Sequence, residues 1–167
     1  MMRRVSIVAA LAVLAGPAHA DGQRLPTRPI EDVVRFTAPD ADTRVTITAL
    51  GDSCDEARIS LVVESADGEV LHTQSHPLHQ LNVDGAGCET LVRTMSDMIR
   101  EQTAADLPSD AAIADGDRSG YHDVDIPAVH EARRSDRSVL CLRAGKSYFD
   151  CFVYRDGKAV RLFSSGS

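Results

Sequence analysis

Three features predict an α+β fold built on antiparallel sheet: short alternating segments toward both ends, hairpin turn signals between them, and one apolar stripe at helical spacing midway. Strands come first, then a helix, then strands again, with few crossovers. That order suits an antiparallel sheet carrying a helix better than a parallel sheet wound with helices.

The chain begins Met1-Met2-Arg3-Arg4, runs through an apolar stretch from Val5 to Ala15, and reaches the small residues of Ala18-His19-Ala20 before Asp21. This is the pattern of a cleaved export signal over residues 1–20. The apolar stretch is well short of the ~20 residues that span a bilayer, so no stable membrane anchor is expected. The mature chain is expected to be periplasmic or secreted. Residues 21–31, with Pro26 and Pro29, read as a flexible lead-in, and 32–167 as a single domain.

The full sequence has 18 Lys and Arg against 25 Asp and Glu; without Arg3 and Arg4 the basic count is 16, a formal charge of −9. An acidic surface repels nucleic acid and anionic lipid and attracts cationic partners, while also serving solubility. No nucleic-acid function is expected, and a protein partner, cationic if the surface field guides it, fits this balance. The sequence sets no oligomeric state.

In the N-terminal half, Val33–Thr37 and Arg44–Leu50 read as strands, and Ala57–Glu64 and Glu69–Ser75 as a hairpin around Asp67-Gly68. The main helix is expected over about 88–107, with Leu91, Val92, Met95, Met98 and Ile99 on one face and Pro108 ending it. A shorter helix is expected from Pro127, a favoured first helical position, to about Arg134. The C-terminal region reads as a three-stranded meander: Ser138–Arg143, Tyr148–Tyr154 and, across Asp156-Gly157, Lys158–Phe163.

Four cysteines in an exported chain point to two disulfides. A three-residue loop at Gly145-Lys146-Ser147 places Cys141 opposite Cys151, and the same register puts Val139, Cys141, Phe149, Cys151, Val153, Val160 and Leu162 on one face. That agreement selects a Cys141–Cys151 bridge, and elimination then pairs Cys54 with Cys88. On the opposite face the register sets Tyr148, Asp150, Phe152 and Tyr154, a packing surface or, with Arg161 nearby, a binding one.

Two clusters could hold a metal. His72, His76 and His79 lie within eight residues, yet His72 and His76 on one strand face would stand about 13 Å apart, too far to share an ion, and His76 with His79, which could share one across Pro77-Leu78, have no third ligand evident in the sequence. Asp115, Asp117, Ser119 and Asp123 match positions one, three, five and nine of a calcium loop, with Gly120 at six. Position twelve is Ile126 where a bidentate Glu is required, so an acidic turn is the simpler reading and calcium binding the alternative; no other cofactor is expected.

Catalytic motifs fail on inspection. There is no G-x-S-x-G elbow, S-x-x-K or phosphate loop, and His130-Glu131 begins a zincin motif whose second histidine is replaced by Arg134. A small hydrolase would have to use His122 or His130 with partners distant in sequence. The expected function is therefore a non-enzymatic protein-binding domain of an extracytoplasmic space. In overall type the chain is similar to periplasmic lysozyme inhibitors, a likeness that implies a cationic hydrolase as target. Those inhibitors carry a Ser-Gly-x-x-Tyr loop; here Ser119-Gly120 is followed at that spacing by Asp123, so no inhibitory residue carries over. A structural or assembly component of the cell envelope is the remaining alternative.

Overall fold

A computed structural model describes residues 25, 29–38, 41–53, 56–81, 95, 97–135 and 137–166. The export segment, Cys54, Cys88 and residues 82–94 lie outside the described residues, and with them the expected Cys54–Cys88 bridge and the body of the expected main helix.

Two antiparallel sheets form the framework. The first is a meander, β1 (Ile30–Ala38), β2 (Ala41–Leu50), β3 (Arg58–Glu64) and β4 (Val70–Pro77) in sequential order. β1 begins inside the expected lead-in. The second sheet has the order β5-β7-β8-β9-β6, from β5 (Ile99–Gln102), β6 (Tyr121–His122), β7 (Val139–Arg143), β8 (Tyr148–Arg155) and β9 (Lys158–Gly166). Helix α1 (Asp110–Asp115) precedes β6, and α2 (Ile126–Ser135) follows it. The α+β class and the C-terminal meander are as the sequence predicts.

Alternation builds the first core. Val45 faces Val63 across β2 and β3, and Ile47 faces Leu61, so the inward residues of neighbouring strands fall in rows. With Val34, Phe36, Ile59 and Leu71 they pack on Leu140, Leu142 and Phe152 of the second sheet, joined by Leu81, Met95 and Met98. Each fully buried side chain of this size contributes roughly 1.5–3 kcal/mol relative to exposure.

The other face of the second sheet supports a second core, in which Ala128, Val129 and Ala132 of α2 lie on Val139, Cys141, Phe149, Cys151, Val153 and Leu162. Val160 is partly buried against it, so all seven residues assigned to this face are found there. Phe163 joins them because β9 bulges where Cys151 pairs with Phe163 and Phe152 with Arg161, which turns both Leu162 and Phe163 inward. Helix α2 starts where expected: the Asp125 carboxylate accepts the Ala128 N–H at 3.1 Å, and Pro127 needs no partner in the first turn.

The expected helix over 88–107 is corrected at its end. Ile99–Gln102 is a strand paired with β7, and Ala104–Asp106 forms a single 3₁₀ turn. Strand β7 is buried on both faces and needs hydrogen-bond partners on both edges; β8 satisfies one, and Ile99–Gln102 must satisfy the other. Tertiary demand thus overrides the helix preference of Arg100, Glu101 and Gln102. Met95 and Met98 remain fully buried, as their place on the apolar stripe implies.

Candidate functional site

A cleft of about 330 Å³ opens on the disulfide-bearing face of the second sheet, beyond the part covered by α2. Its floor is a cross-strand row. Arg143 on β7 is the register partner of Phe149 on β8, Phe149 of Ser165 on β9, and Ser165 of Tyr121 on β6. Arg100 and Gln102 reach it from β5, and Lys146 and Ser147 from the β7–β8 turn.

Phe149 is buried beneath two cations. The guanidinium carbon of Arg100 stands 4.0 Å from its ring centre and that of Arg143 5.1 Å. Arg143 donates to the Lys146 carbonyl at 2.9 Å and to the Leu81 carbonyl at 3.4 Å, which fixes its guanidinium against the turn. Two of the lining residues each hold a fully buried side-chain atom without a hydrogen-bond partner, Arg143 Nε and Gln102 Oε1.

The rim depends on close backbone approach. Gly120, at φ +77°, accepts at its carbonyl the Gly166 N–H at 2.9 Å, and a Cβ on Gly120 would run into the Gly166 carbonyl oxygen. Two residues along the same strands from Arg143 and Phe149, the Cys141–Cys151 bridge closes between direct register partners with Cα atoms 4.0 Å apart, across the three-residue turn the sequence predicts.

A second polar cluster lies on the opposite face of the same sheet. The Ser164 hydroxyl donates to the Asp150 carboxylate at 2.6 Å, Arg161 stands 3.7 Å from Asp150, and His122 is the register partner of Ser164. From β4, His72 lies tilted against Phe152 with ring centres 4.4 Å apart, and Gln74 donates to the Arg143 carbonyl at 2.9 Å. The buried Nε2 of His76 has no partner; burial pushes the imidazole below its ordinary pKa, opposed by Asp150 and reinforced by Arg58. His72 and His76 share one face, paired with Val63 and Ile59.

His130 lies elsewhere. Its Nε2 is 2.9 Å from Asp110 Oδ1, which Arg133 also contacts at 2.7 Å, in an open hollow on α1 and α2. The hydrogen bonds from Arg133 and His130 hold the exposed Asp110 carboxyl below its usual pKa.

The residues of the expected calcium loop are spread along the chain from α1 to β6. Asp115 ends α1, the Ser119 hydroxyl is directed to the Ala112 and Gly116 carbonyls, and Asp123 lies 3.6 Å from Arg161. The side chain of Asp117 is outside the described residues. Among the described residues, no three His, Cys, Asp or Glu side chains form a group able to hold a metal ion.

Sequence reasoning missed Arg100 and Gln102 because it set them on a helix. The pair Arg143 and Lys146, bracketing a hairpin tip, was the signal of positive charge that the sequence offered at this place. Among the described residues, no helix is long and apolar enough to cross a membrane. Comparison with protein-family models, curated proteins and solved structures finds no match to this chain.

Proposed function

We propose that this chain is a non-catalytic protein-recognition domain working outside the cytoplasm, with the cleft over Phe149 as its contact site. The observation that carries this reading is the composition of that cleft: two arginines stacked on a buried phenylalanine, with a lysine and serine hydroxyls at its edge. Arginine and aromatic side chains in a partly desolvated hollow are what protein interfaces use as energetic anchors. The neighbouring Cys141–Cys151 bridge is compatible with an oxidising compartment and ties together the two strands that carry Arg143 and Phe149. Inhibition of a cationic hydrolase, the form suggested by the net charge of −7, draws no support from this cationic cleft.

A small hydrolase is the second reading, favoured by Ser164, Asp150 and His122 lying in one cross-strand row. It ranks lower because the Ser164 hydroxyl points at the carboxylate, with the residue only 9% exposed, leaving little room for attack on a substrate. Affinity capture with the full chain tests both. A protein retained in near-equal amount, and lost with Arg100→Glu, supports recognition. Turnover of ester, amide or glycoside substrates that disappears with Ser164→Ala, or with His122 or His130 replaced, overturns it.

A further inference from the structure

Among the described strands, β1 has a neighbour on one side only: β2 pairs with it, and its other edge bounds the four-stranded sheet. An open edge is a ready template for another strand unless charge or covering structure blocks it. Here two carboxylates occupy it. The Val33 N–H donates to Asp32 Oδ1 at 2.9 Å and the Arg35 N–H to Glu101 Oε1 at 2.8 Å, the second reaching across from β5. We propose that this edge pairs with β1 of a second copy of the chain, and that Asp32 and Glu101 hold it closed in the monomer.

The edge is complementary to itself in one register. Backbone groups of an antiparallel strand alternate in direction, so the two N–H groups that end on side chains show that Glu31, Val33 and Arg35 turn theirs away from β2. A twofold axis at Val33 sets these three against their copies in hydrogen-bonded pairs, Val33 with Val33 and Glu31 with Arg35 on either side. All three side chains are exposed, Val33 by 58%. The pairing thus covers a large apolar side chain left on the surface and puts opposite charges face to face twice. An axis one or two residues away instead sets Glu31 or Arg35 against Val33 or against itself.

Pairing also meets resistance. Each incoming strand must displace a charge-assisted hydrogen bond at Val33 and another at Arg35. Two chains of formal charge −7 repel at long range as well. The monomer is therefore the resting state, and removal of the two carboxylates shifts the balance.

The test is sedimentation equilibrium of the purified protein. The parent should sediment as a monomer, and Asp32→Ala with Glu101→Ala should dimerise with a dissociation constant roughly tenfold or more below the parent's. In that background Val33→Lys should return the monomer, because it opposes like charges at the axis. Glu31→Arg should weaken the dimer, and Arg35→Glu added to it should restore it. Amide exchange in the dimer should slow at Glu31, Val33 and Arg35. Asp67→Ala with Glu69→Ala, which removes the same charge between β3 and β4, should leave the parent monomeric. Asp32 and Glu101 are exposed, and each single variant should shift the equilibrium in the same direction, so poor folding of the double variant would not hide the effect. Variants that keep the parent's melting curve and stay monomeric would overturn the proposal. So would a dimer indifferent to Val33→Lys, which assigns the contact to another surface. A parent that already dimerises through β1 would overturn the closing role of the carboxylates.

Discussion

His72 lies against Phe152 with ring centres 4.4 Å apart, so a strand of one sheet touches the core of the other through an imidazole. The same face of β4 continues with Gln74 and His76, and this polar edge closes one side of an otherwise apolar sandwich. A seam of this kind makes stability depend on pH.

His76 sets that dependence. Its folded pKa is lowered below the unfolded value of about 6.5 because burial disfavours the charged ring; Arg58 adds to the effect and Asp150 opposes it. Stability is therefore full above about pH 6.5 and falls as the pH drops from there through the lowered folded value, where the unfolded chain takes up a proton the folded one resists. Urea midpoints measured between neutral and mildly acid pH should show this slope. His76→Leu should flatten it by removing the titrating ring, and should raise stability by about 1 kcal/mol already at neutral pH by removing an unsatisfied polar atom, with a further gain on acidification.

Much of the second sheet was legible because its local signals agree. The Asp156-Gly157 turn, the alternation on Tyr148–Tyr154 and the matched cysteines all demand one register, and Cys141 indeed faces Cys151. What was not legible depended on distant partners. Nothing within Ile99–Gln102 announces a strand; the open edge of β7, some forty residues on, makes it one. Arg100 and Gln102 were hidden for that reason, and the cleft with them. Asp110 and His130 lie on separate helices, and the α1 residues gave no clear periodic signal from which that pair could be foreseen.

Loss of the Cys141–Cys151 bridge should lower unfolding free energy by about 3 kcal/mol, from the loop entropy its closure removes. Cys141→Ala with Cys151→Ala, compared with the parent by differential scanning calorimetry, checks this. A change under 1 kcal/mol would mean that strand pairing alone holds the hairpin.

At the rim, Gly120→Ala should cost about 1–3 kcal/mol and disturb the cleft. The residue sits at φ +77° and its new methyl would meet the Gly166 carbonyl. Gly157→Ala provides the contrast: φ is +81° but no atom lies within 4 Å, so only backbone strain applies and the loss should be smaller. Chemical denaturation of the two variants side by side separates collision from strain.

Asp110 should titrate below the ordinary carboxylate range in carboxyl-carbon NMR, because Arg133 and His130 stabilise its charged form. Arg133→Met should move the midpoint upward, since the Arg133 hydrogen bond is the larger cause. An unchanged midpoint in that variant would assign the effect to His130.

The five-stranded sheet is a wall common to two interiors, so the described residues of the two cores share one boundary. Successive residues of β8 serve opposite sides, Cys151 and Val153 facing α2 and Phe152 facing the meander. A chain cut within residues 139–163 would leave neither fragment with a complete interior. Melting is accordingly expected as one cooperative event, and the cleft should persist intact until the whole structure gives way.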